Sequence, residues 1–311
     1  MKKQKQTTDR YTLADLERWK EVSGNIDPPI GLGVFGDPVA HSLSPQIQNA
    51  ALQAREIKMQ YGRFHIRPGE LRSALLFLRE LDFVGINLTA PHKVPAFGLL
   101  DQSDESAHTI GATNTIKVDN GKLRGFNTDG PGFSRAIREE FSVDLRDLRI
   151  MVLGAGGAAR AIARQCAAED CERLVIVNRT LDKAKALADE LRSFFTGPRV
   201  LGPVARLQVV PWEESALRFQ IANVDLIVNT TPVGLNRSDP SPIPARLLAP
   251  HLMIYDTVYI SKQTPFVSAA IDAGARGANG LSMLLHQGTL AFEIWFGREA
   301  PINAMRDALT S

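Results

Sequence analysis

A glycine-rich turn, Gly154-Ala155-Gly156-Gly157, constrains this chain more than any other feature. Four apolar residues before it, Ile150–Leu153, read as a buried strand, and the alanine-rich run Ala158–Ala168 after it reads as a helix. Glycines are needed where a strand turns sharply into a helix and where a ligand comes close to the backbone. The helix start, with Ala158 in its first turn, then offers N–H groups and a positive dipole end to a pyrophosphate. A tight turn without a ligand would also use glycine. Here, however, a second strand, Leu174–Val177, follows where a dinucleotide fold needs one.

The tip of that second strand separates the two nicotinamide dinucleotides. An NAD site carries Asp or Glu about 20 residues beyond the turn, bonding the ribose hydroxyls. In this chain the strand runs into Asn178-Arg179-Thr180. Arg179 suits the 2′-phosphate of NADP, because a planar guanidinium fork matches phosphate oxygens. Lys183, one helical turn later, adds positive charge. Thr180 reads as the cap of the next helix, and a solvated Arg179 is the alternative. Asp182 is the residue that speaks for NAD; the weighing favours NADP.

A length of 311 residues is comfortable for two domains. Strand and helix signals alternate from Ile30: a strand to Phe35, a helix Pro45–Ala54, a strand Gln60–Ile66, a helix Leu71–Glu80 and a strand Phe83–Leu88. Such alternation predicts an α/β layer with a largely parallel sheet. Thr115–Val118 and Lys122–Phe126, joined by Asp119-Asn120-Gly121, read as a hairpin. A second α/β series starts near Arg149, with strands at Ile150–Leu153, Leu174–Val177, Leu207–Val210, Leu226–Asn229, Met253–Tyr255 and Gly277–Gly280. The join between the two series reads as Asp129–Phe133. Tyr11–Val22 reads as a short helix, and Met283–Trp295 and Ile302–Leu309 as the last two. Phe64, Phe77, Phe83 and Phe97 read as core.

Composition excludes several classes. With 36 Lys and Arg against 34 Asp and Glu, the net charge of +2 makes no case for nucleic acid or an anionic membrane. No apolar stretch follows the basic residues Met1–Arg10, as a secretory leader requires, and no run of about 18 apolar residues spans a bilayer. Cys166 and Cys171, read on one helix, match no zinc or redox spacing. The six histidines are scattered, with no helical i, i+4 pair, so no metal is expected. Two reduced thiols and these absences read as a cytoplasmic protein.

In the first series, polar residues gather directly after strands, where α/β sheets bind ligands. Ser44-Pro45 reads as a helix N-cap and N1 pair. Ser42 has no such role, and two hydroxyls at a helix start suit a carboxylate. Asn87, Thr89 and Lys93 follow the strand at 83–88, and Lys93 is the amine available there for proton transfer. Gly111–Thr115 and Asn127–Gly130 add an amide, Asn114, and a carboxylate, Asp129; alone, each reads as turn chemistry.

Together these strings resemble the shikimate dehydrogenase family. The matches are Gly36-Asp-Pro38, His41-Ser-Leu-Ser-Pro45, Asn87-Leu-Thr-Ala-Pro-His-Lys93, Gly111-Ala-Thr-Asn-Thr115, Asn127-Thr-Asp-Gly130, Gly154-Ala-Gly-Gly157 and Asn178-Arg-Thr180. They continue with Asn229-Thr-Thr-Pro-Val-Gly234, Asp256 to Tyr259, Thr264-Pro-Phe266 and Leu284-Leu-His-Gln-Gly288, in the family's order over about residues 30 to 295.

The resemblance implies two α/β domains, an N-terminal substrate domain and a Rossmann-type NADP-binding domain, with a cleft between them. It implies residues 1–128 completed by 281–311 for the first, and 129–280 for the second. The implied activity is reversible reduction of 3-dehydroshikimate to shikimate by NADPH, within aromatic amino-acid biosynthesis by way of chorismate. By the same resemblance Ser42 and Ser44 hold the substrate carboxylate. Asn87, Thr89, Asn114, Asp129 and Gln287 bond ring hydroxyls, with Tyr259 nearby, and Lys93 and Asp129 are the catalytic pair. Thr230 and Gly280 join the glycine turn, Asn178, Arg179, Thr180 and Lys183 at the cofactor. A homodimer is compatible with this reading, which specifies no assembly.

The chain departs from the family at four places. Gln48 stands where His is common, Ala90 is smaller than the usual residue before Pro91, Pro95 asks the helix after Lys93 to start late or kink, and 29 residues precede the usual start. None removes a catalytic group, and a quinate-using relative, with NAD in place of NADP, stays open. The alternative from another class is a non-catalytic NADP-binding sensor, against which Lys93 and Asp129 both speak.

Overall fold

The computed structural model describes residues 10–196, 205–236, 238–259 and 263–310. Backbone contacts divide the chain into residues 1–128 with 288–311, and residues 129–287.

The first unit contains β1 (Tyr11–Thr12), α1 (Leu13–Glu17), α2 (Trp19–Ser23), β2 (Ile30–Gly36), α3 (Ser44–Ala54), β3 (Gln60–His65), α4 (Leu71–Glu80), β4 (Gly85–Leu88), α5 (Lys93–Phe97), β5 (Gln102–Ser103), α6 (Glu105–Ile110), β6 (Thr115–Asp119) and β7 (Lys122–Phe126). The strand order is β1-β3-β2-β4-β6-β7-β5. Strands β1 to β4 pair in parallel, but β6 is antiparallel to both β4 and β7. The sheet is therefore mixed. The Asp119–Gly121 turn forces the hairpin, with Asp119 opposite Lys122.

The segment 11–22 differs from its sequence reading. Tyr11 and Thr12 form a short strand beside β3, and the helical part breaks at Arg18, whose φ of −117° is not helical. Packing overrides periodicity here. The Tyr11 and Trp19 rings meet edge-on at 5.2 Å, and both reach Phe64 in an aromatic core with Phe35 and Phe83. Phe64 and Phe83 are buried as expected, whereas Phe77 and Phe97 are half-buried.

The second unit contains α7 (Asp129–Phe141), β8 (Arg149–Leu153), α8 (Gly157–Ala168), β9 (Arg173–Asn178), α9 (Leu181–Leu191), β10 (Leu207–Pro211), α10 (Glu214–Ile221), β11 (Leu226–Asn229), β12 (Met253–Asp256), α11 (Pro265–Asp272) and β13 (Arg276–Asn279). Helix α12 (Leu281–Phe296) carries the chain back to the residues of the first unit, where α13 (Ile302–Thr310) packs on α3. The sheet is parallel throughout, in the order β10-β9-β8-β11-β12-β13. Side chains alternate along each strand. Ile150 and Val152 pack with α7, α8 and α9 on one face, and Met151 and Leu153 with α10 and α11 on the other. Both faces are covered, which is why the central strands β8, β9, β11 and β12 are mostly apolar.

The boundary between the units falls between Thr128 and Asp129, at the expected join, and Asp129–Phe133 opens α7. Its glycines are packing residues: a β-carbon at Gly130 would lie 2.8 Å from Gln165 Oε1 of α8, and one at Gly132 2.8 Å from the Gln287 amide of α12. Cys171 lies beyond the end of α8 rather than within it, and its amide donates to the Cys166 carbonyl at 3.0 Å. Neither cysteine is in a disulfide, and both are buried.

Candidate active site

Strand order in the second unit reverses between β8 and β11, the place where open α/β sheets bind ligands. The loops after these two strands lock together there. Thr230, just past β11, donates from its hydroxyl to the Leu153 carbonyl at 2.7 Å. Gly154 sits at φ +120°, and a β-carbon on it would lie 2.5 Å from Thr230 Oγ1. Only glycine fits that backbone and that neighbour. Gly156, the N-cap of α8, faces open space, since a β-carbon there would touch nothing within 4 Å. Among the described residues no side chain caps α8, and Ala155, Gly157 and Ala158 are half-buried around its start. The helix thus presents backbone donors beside an open approach, as a pyrophosphate requires.

At the tip of β9, Asn178 is half-buried and its side-chain amide donates to the Thr180 carbonyl at 2.8 Å. This bond shapes the turn that carries Arg179. Arg179 is exposed and makes no ion pair among the described residues, and Lys183 is exposed one turn into α9. Thr180 occupies the N-cap position of α9, but its hydroxyl makes no capping bond. Gly280, after β13, could not carry a side chain: its β-carbon would fall 2.2 Å from the Thr257 carbonyl oxygen. An open glycine turn, an uncapped helix start and an exposed guanidinium in place of a carboxylate fit a dinucleotide with a 2′-phosphate.

Three residues that carried the resemblance without an assigned role prove to be the scaffold of this end. Asn229 and Asp256 are fully buried at the ends of β11 and β12. The Asn229 amide donates to Asp256 Oδ1 at 2.9 Å, and the Thr264 hydroxyl to Asp256 Oδ2 at 2.6 Å. Burial pushes the Asp256 carboxyl up, opposed by the bonds from Thr264, Val258 and Asn229. The signal for Asn229 and Asp256 in the sequence was a polar residue ending an otherwise apolar strand.

In the first unit the loops after β2 and β4 lie side by side. The Asp37 amide donates to the Ala90 carbonyl at 3.0 Å, and Asp37 pairs with His65 of β3 at 2.8 Å. Thr89, half-buried at the end of β4, donates its amide to the Phe35 carbonyl at 2.9 Å. His92 is buried with Nε2 at 2.6 Å from the Ile66 carbonyl, and burial holds its imidazole below the ordinary pKa. Lys93 is the half-buried first residue of α5, and its carbonyl accepts from the Thr113 amide at 2.8 Å. Pro95 neither delays nor kinks the helix. It falls in the first turn, where a missing N–H leaves no intrahelical bond unmade.

The two serines exchange the parts expected of them. Leu43, not Ser44, is the N-cap of α3, and Ser44 is its first residue. Ser42 Oγ accepts from the Ser44 amide at 3.3 Å, and its hydroxyl lies 3.2 Å from Ser44 Oγ. The hydroxyl that serves the helix start is that of Ser42, because a serine two residues ahead of the start can fold back onto it. Ser44→Ala is therefore expected to leave the melting temperature close to the parent's. Ser42→Ala should lower it by a few degrees, since ~1 kcal/mol of capping shifts Tm by about 2–4 °C in chains of comparable size. Paired thermal melts check this; the opposite order would restore Ser44 as the cap.

Asn87 and Asn114 are brought into one buried network. Asn87 Nδ2 donates to the Asn114 carbonyl (3.2 Å) and to Thr115 Oγ1 (3.0 Å), and Asn87 Oδ1 accepts from the Tyr61 hydroxyl (2.8 Å). Asn114 Oδ1 accepts from the Thr128 amide at 2.8 Å. In the second unit Asp129 is buried in the first turn of α7, Gln287 is buried in α12 with Nε2 bonded to the Leu284 carbonyl at 2.8 Å, and Tyr259 is half-buried after β12. Gln48, where His was noted as common in the family, is fully buried and donates to the Gly288 carbonyl at 2.9 Å. Among the described residues no helix is long and apolar enough to cross a membrane.

A doubly covered parallel sheet with a glycine turn at its switch point defines a Rossmann-type dinucleotide-binding protein. Comparison with known proteins narrows this further. Residues 34–116 match the model of the shikimate dehydrogenase substrate binding domain, residues 136–198 that of shikimate / quinate 5-dehydrogenase, and residues 280–310 that of the shikimate 5'-dehydrogenase C-terminal domain. A shikimate dehydrogenase (NADP(+)) from Methanopyrus kandleri is 40% identical over 291 residues, 93% of this chain and 98% of that one. Among solved structures, shikimate 5-dehydrogenase of Thermus thermophilus, in complex with NADP(H) and shikimate, superposes with a TM-score of 0.78 at 36% identity, covering 90% of this chain and 98% of that one. Quinate dehydrogenase of Corynebacterium glutamicum in complex with NAD gives 0.76 at 27% identity, with 90% and 98% covered. The chain belongs to the shikimate dehydrogenase family.

Proposed function

We propose that this chain catalyses the reversible, NADP-dependent oxidation of shikimate to 3-dehydroshikimate, with Lys93 exchanging the proton of the reacting hydroxyl. The observation that carries this reading is the 40% identity to a shikimate dehydrogenase (NADP(+)) over nearly the whole of both chains. The glycine turn 154–157, Ala158, Thr230 and Gly280 hold the nucleotide, with Asn178, Arg179, Thr180 and Lys183 at its 2′-phosphate. Bound there, NADP would supply the hydride acceptor for the ring carbon.

The chain's own residues do the rest. Ser42 and Ser44 hold the substrate carboxylate. Asn87, Thr89, Asn114 and Gln287 fix the ring through its hydroxyls, with Tyr259 beside them. Lys93 takes the hydroxyl proton during oxidation and returns it during reduction, and Asp129 orients the same hydroxyl. The deciding experiment is an absorbance assay at 340 nm with shikimate or quinate, crossed with NADP or NAD. Turnover best with shikimate and NADP supports the proposal. Faster turnover of quinate with NAD would place the chain with the relative from Corynebacterium glutamicum, and binding without turnover would make it a sensor.

The cofactor preference has its own test. Arg179→Ala should raise the apparent NADP KM roughly tenfold to a hundredfold, the worth of a charge-assisted hydrogen bond of ~1.5–3 kcal/mol. The NAD KM should hardly move, because NAD lacks the 2′-phosphate. Equal effects on both cofactors would remove Arg179 from the phosphate.

A further inference from the structure

The buried network around Asn87 has a fixed polarity. The Asn114 backbone carbonyl can only accept, so the Asn87 atom facing it at 3.2 Å is the NH2. Thr115 Oγ1 gives its proton to Asn114 Oδ1 at 3.2 Å and therefore accepts from the same NH2 at 3.0 Å. Asn114 is itself oriented by the Thr128 amide, which can only donate. Both N–H groups of Asn87 are thus committed inside the protein. The Tyr61 hydroxyl, 2.8 Å from Asn87 Oδ1, donates to it and takes one of its two lone pairs.

Tyr61 is held without the help of its hydroxyl. Its backbone is clamped to α3 from both sides: its amide donates to Asn49 Oδ1 at 2.8 Å, and its carbonyl accepts from Asn49 Nδ2 at 3.1 Å. Its ring lies 6.1 Å from that of Trp295, and the residue is 3% exposed. A phenylalanine would keep these contacts and remove the proton offered to Asn87.

We infer that Tyr61 is a positioning residue for substrate recognition, fixing Asn87 so that it meets a ring hydroxyl only as an acceptor, through the remaining lone pair of Oδ1. This rests on the placement of Asn87 at the substrate proposed above. Asn87 then selects a group that donates, and a carbonyl or ether at the same ring position finds no partner. Without the Tyr61 hydroxyl the amide loses one of its anchors and the acceptor is less well placed.

The test is a cycle of Tyr61→Phe and Asn87→Ala read by steady-state kinetics in the full chain. Tyr61→Phe should raise the shikimate KM about three- to tenfold, the scale of one neutral hydrogen bond, with the NADP KM and kcat within about twofold. In the Asn87→Ala background it should change the shikimate KM by less than about twofold, since there is no amide left to position. Thr115→Ala, which removes an anchor on the other side of Asn87, should raise the shikimate KM in the same selective way. An equal Tyr61→Phe effect with and without Asn87, or an unchanged KM in Tyr61→Phe, overturns the inference while leaving Asn87 at the substrate. An unchanged KM in Asn87→Ala overturns it by a different route, because the placement of Asn87 itself then fails.

Discussion

Replacement of Lys93 by alanine is expected to lower kcat for shikimate oxidation by ~10²–10⁴-fold, the usual contribution of a general acid–base group. Lys93 opens α5 with its backbone carbonyl tied to the Thr113 amide, a bond that does not involve the side chain. The adjoining His92 secures the start of the helix through the Ile66 carbonyl. An alanine should therefore sit on an unchanged backbone, and the melting temperature should stay close to the parent's. Shikimate KM should change far less than kcat, because a group that moves a proton acts mainly in the transition state. Lys93→Met, which keeps length and removes charge, should be as slow as the alanine variant. Stopped-flow measurement of NADPH formation separates this loss from slow product release. A Lys93→Ala enzyme within about threefold of the parent kcat would show that the proton leaves by another route.

The fold was legible where periodicity and burial agree. The central strands β8, β9, β11 and β12 of the second unit read directly, because strands covered on both faces are apolar runs bounded by glycine and polar tips. Legibility failed where tertiary contacts overrode a local signal. The join at Asp129 was readable, but the packing role of Gly130 and Gly132, which let α7 approach α8 and α12, was not, because no local pattern separates a packing glycine from a turn glycine. The two-residue strands β1 and β5 are too short to carry a period and exist because β3 and β7 offer them an edge.

The site divides in the same way. Gly154 and Arg179 could be placed from the sequence alone, at a strand-to-helix turn and a strand tip, and they stand there directly after β8 and β9. Ser42 and Ser44 could not, because either hydroxyl can fold onto the helix start and the backbone angle at Leu43 decides between them. The parts played by Asn229, Asp256 and Tyr61 were invisible for another reason. Each acts through a hydrogen bond to a residue more than 25 positions away, a distance only the sheet closes.

The Asp129 carboxylate stands at the start of a 13-residue helix, buried to 3% exposure, and this placement sets up the second large effect. A negative charge at a helix N-terminus contributes ~0.3–1 kcal/mol, and Asp129→Asn gives up at least that much stability. Asparagine keeps the shape and one carbonyl oxygen, and what it loses is charge. If Asp129 orients the reacting hydroxyl and steadies the positive charge that forms as the proton is taken, kcat should fall by ~10²–10⁴-fold while the protein still folds and binds NADP. Asp129→Glu restores the charge on a longer stem and should recover little, because orientation fails even when charge is present. The double variant Lys93→Ala/Asp129→Asn is the more telling measurement. Groups serving one proton transfer are not additive, so the double variant should be slower than the worse single one by much less than the product of the two losses. Full multiplicativity would mean that Asp129 contributes to the rate independently of the lysine, through the substrate's other hydroxyls or through the helix it begins, and the proton-transfer role would then rest on Lys93 alone.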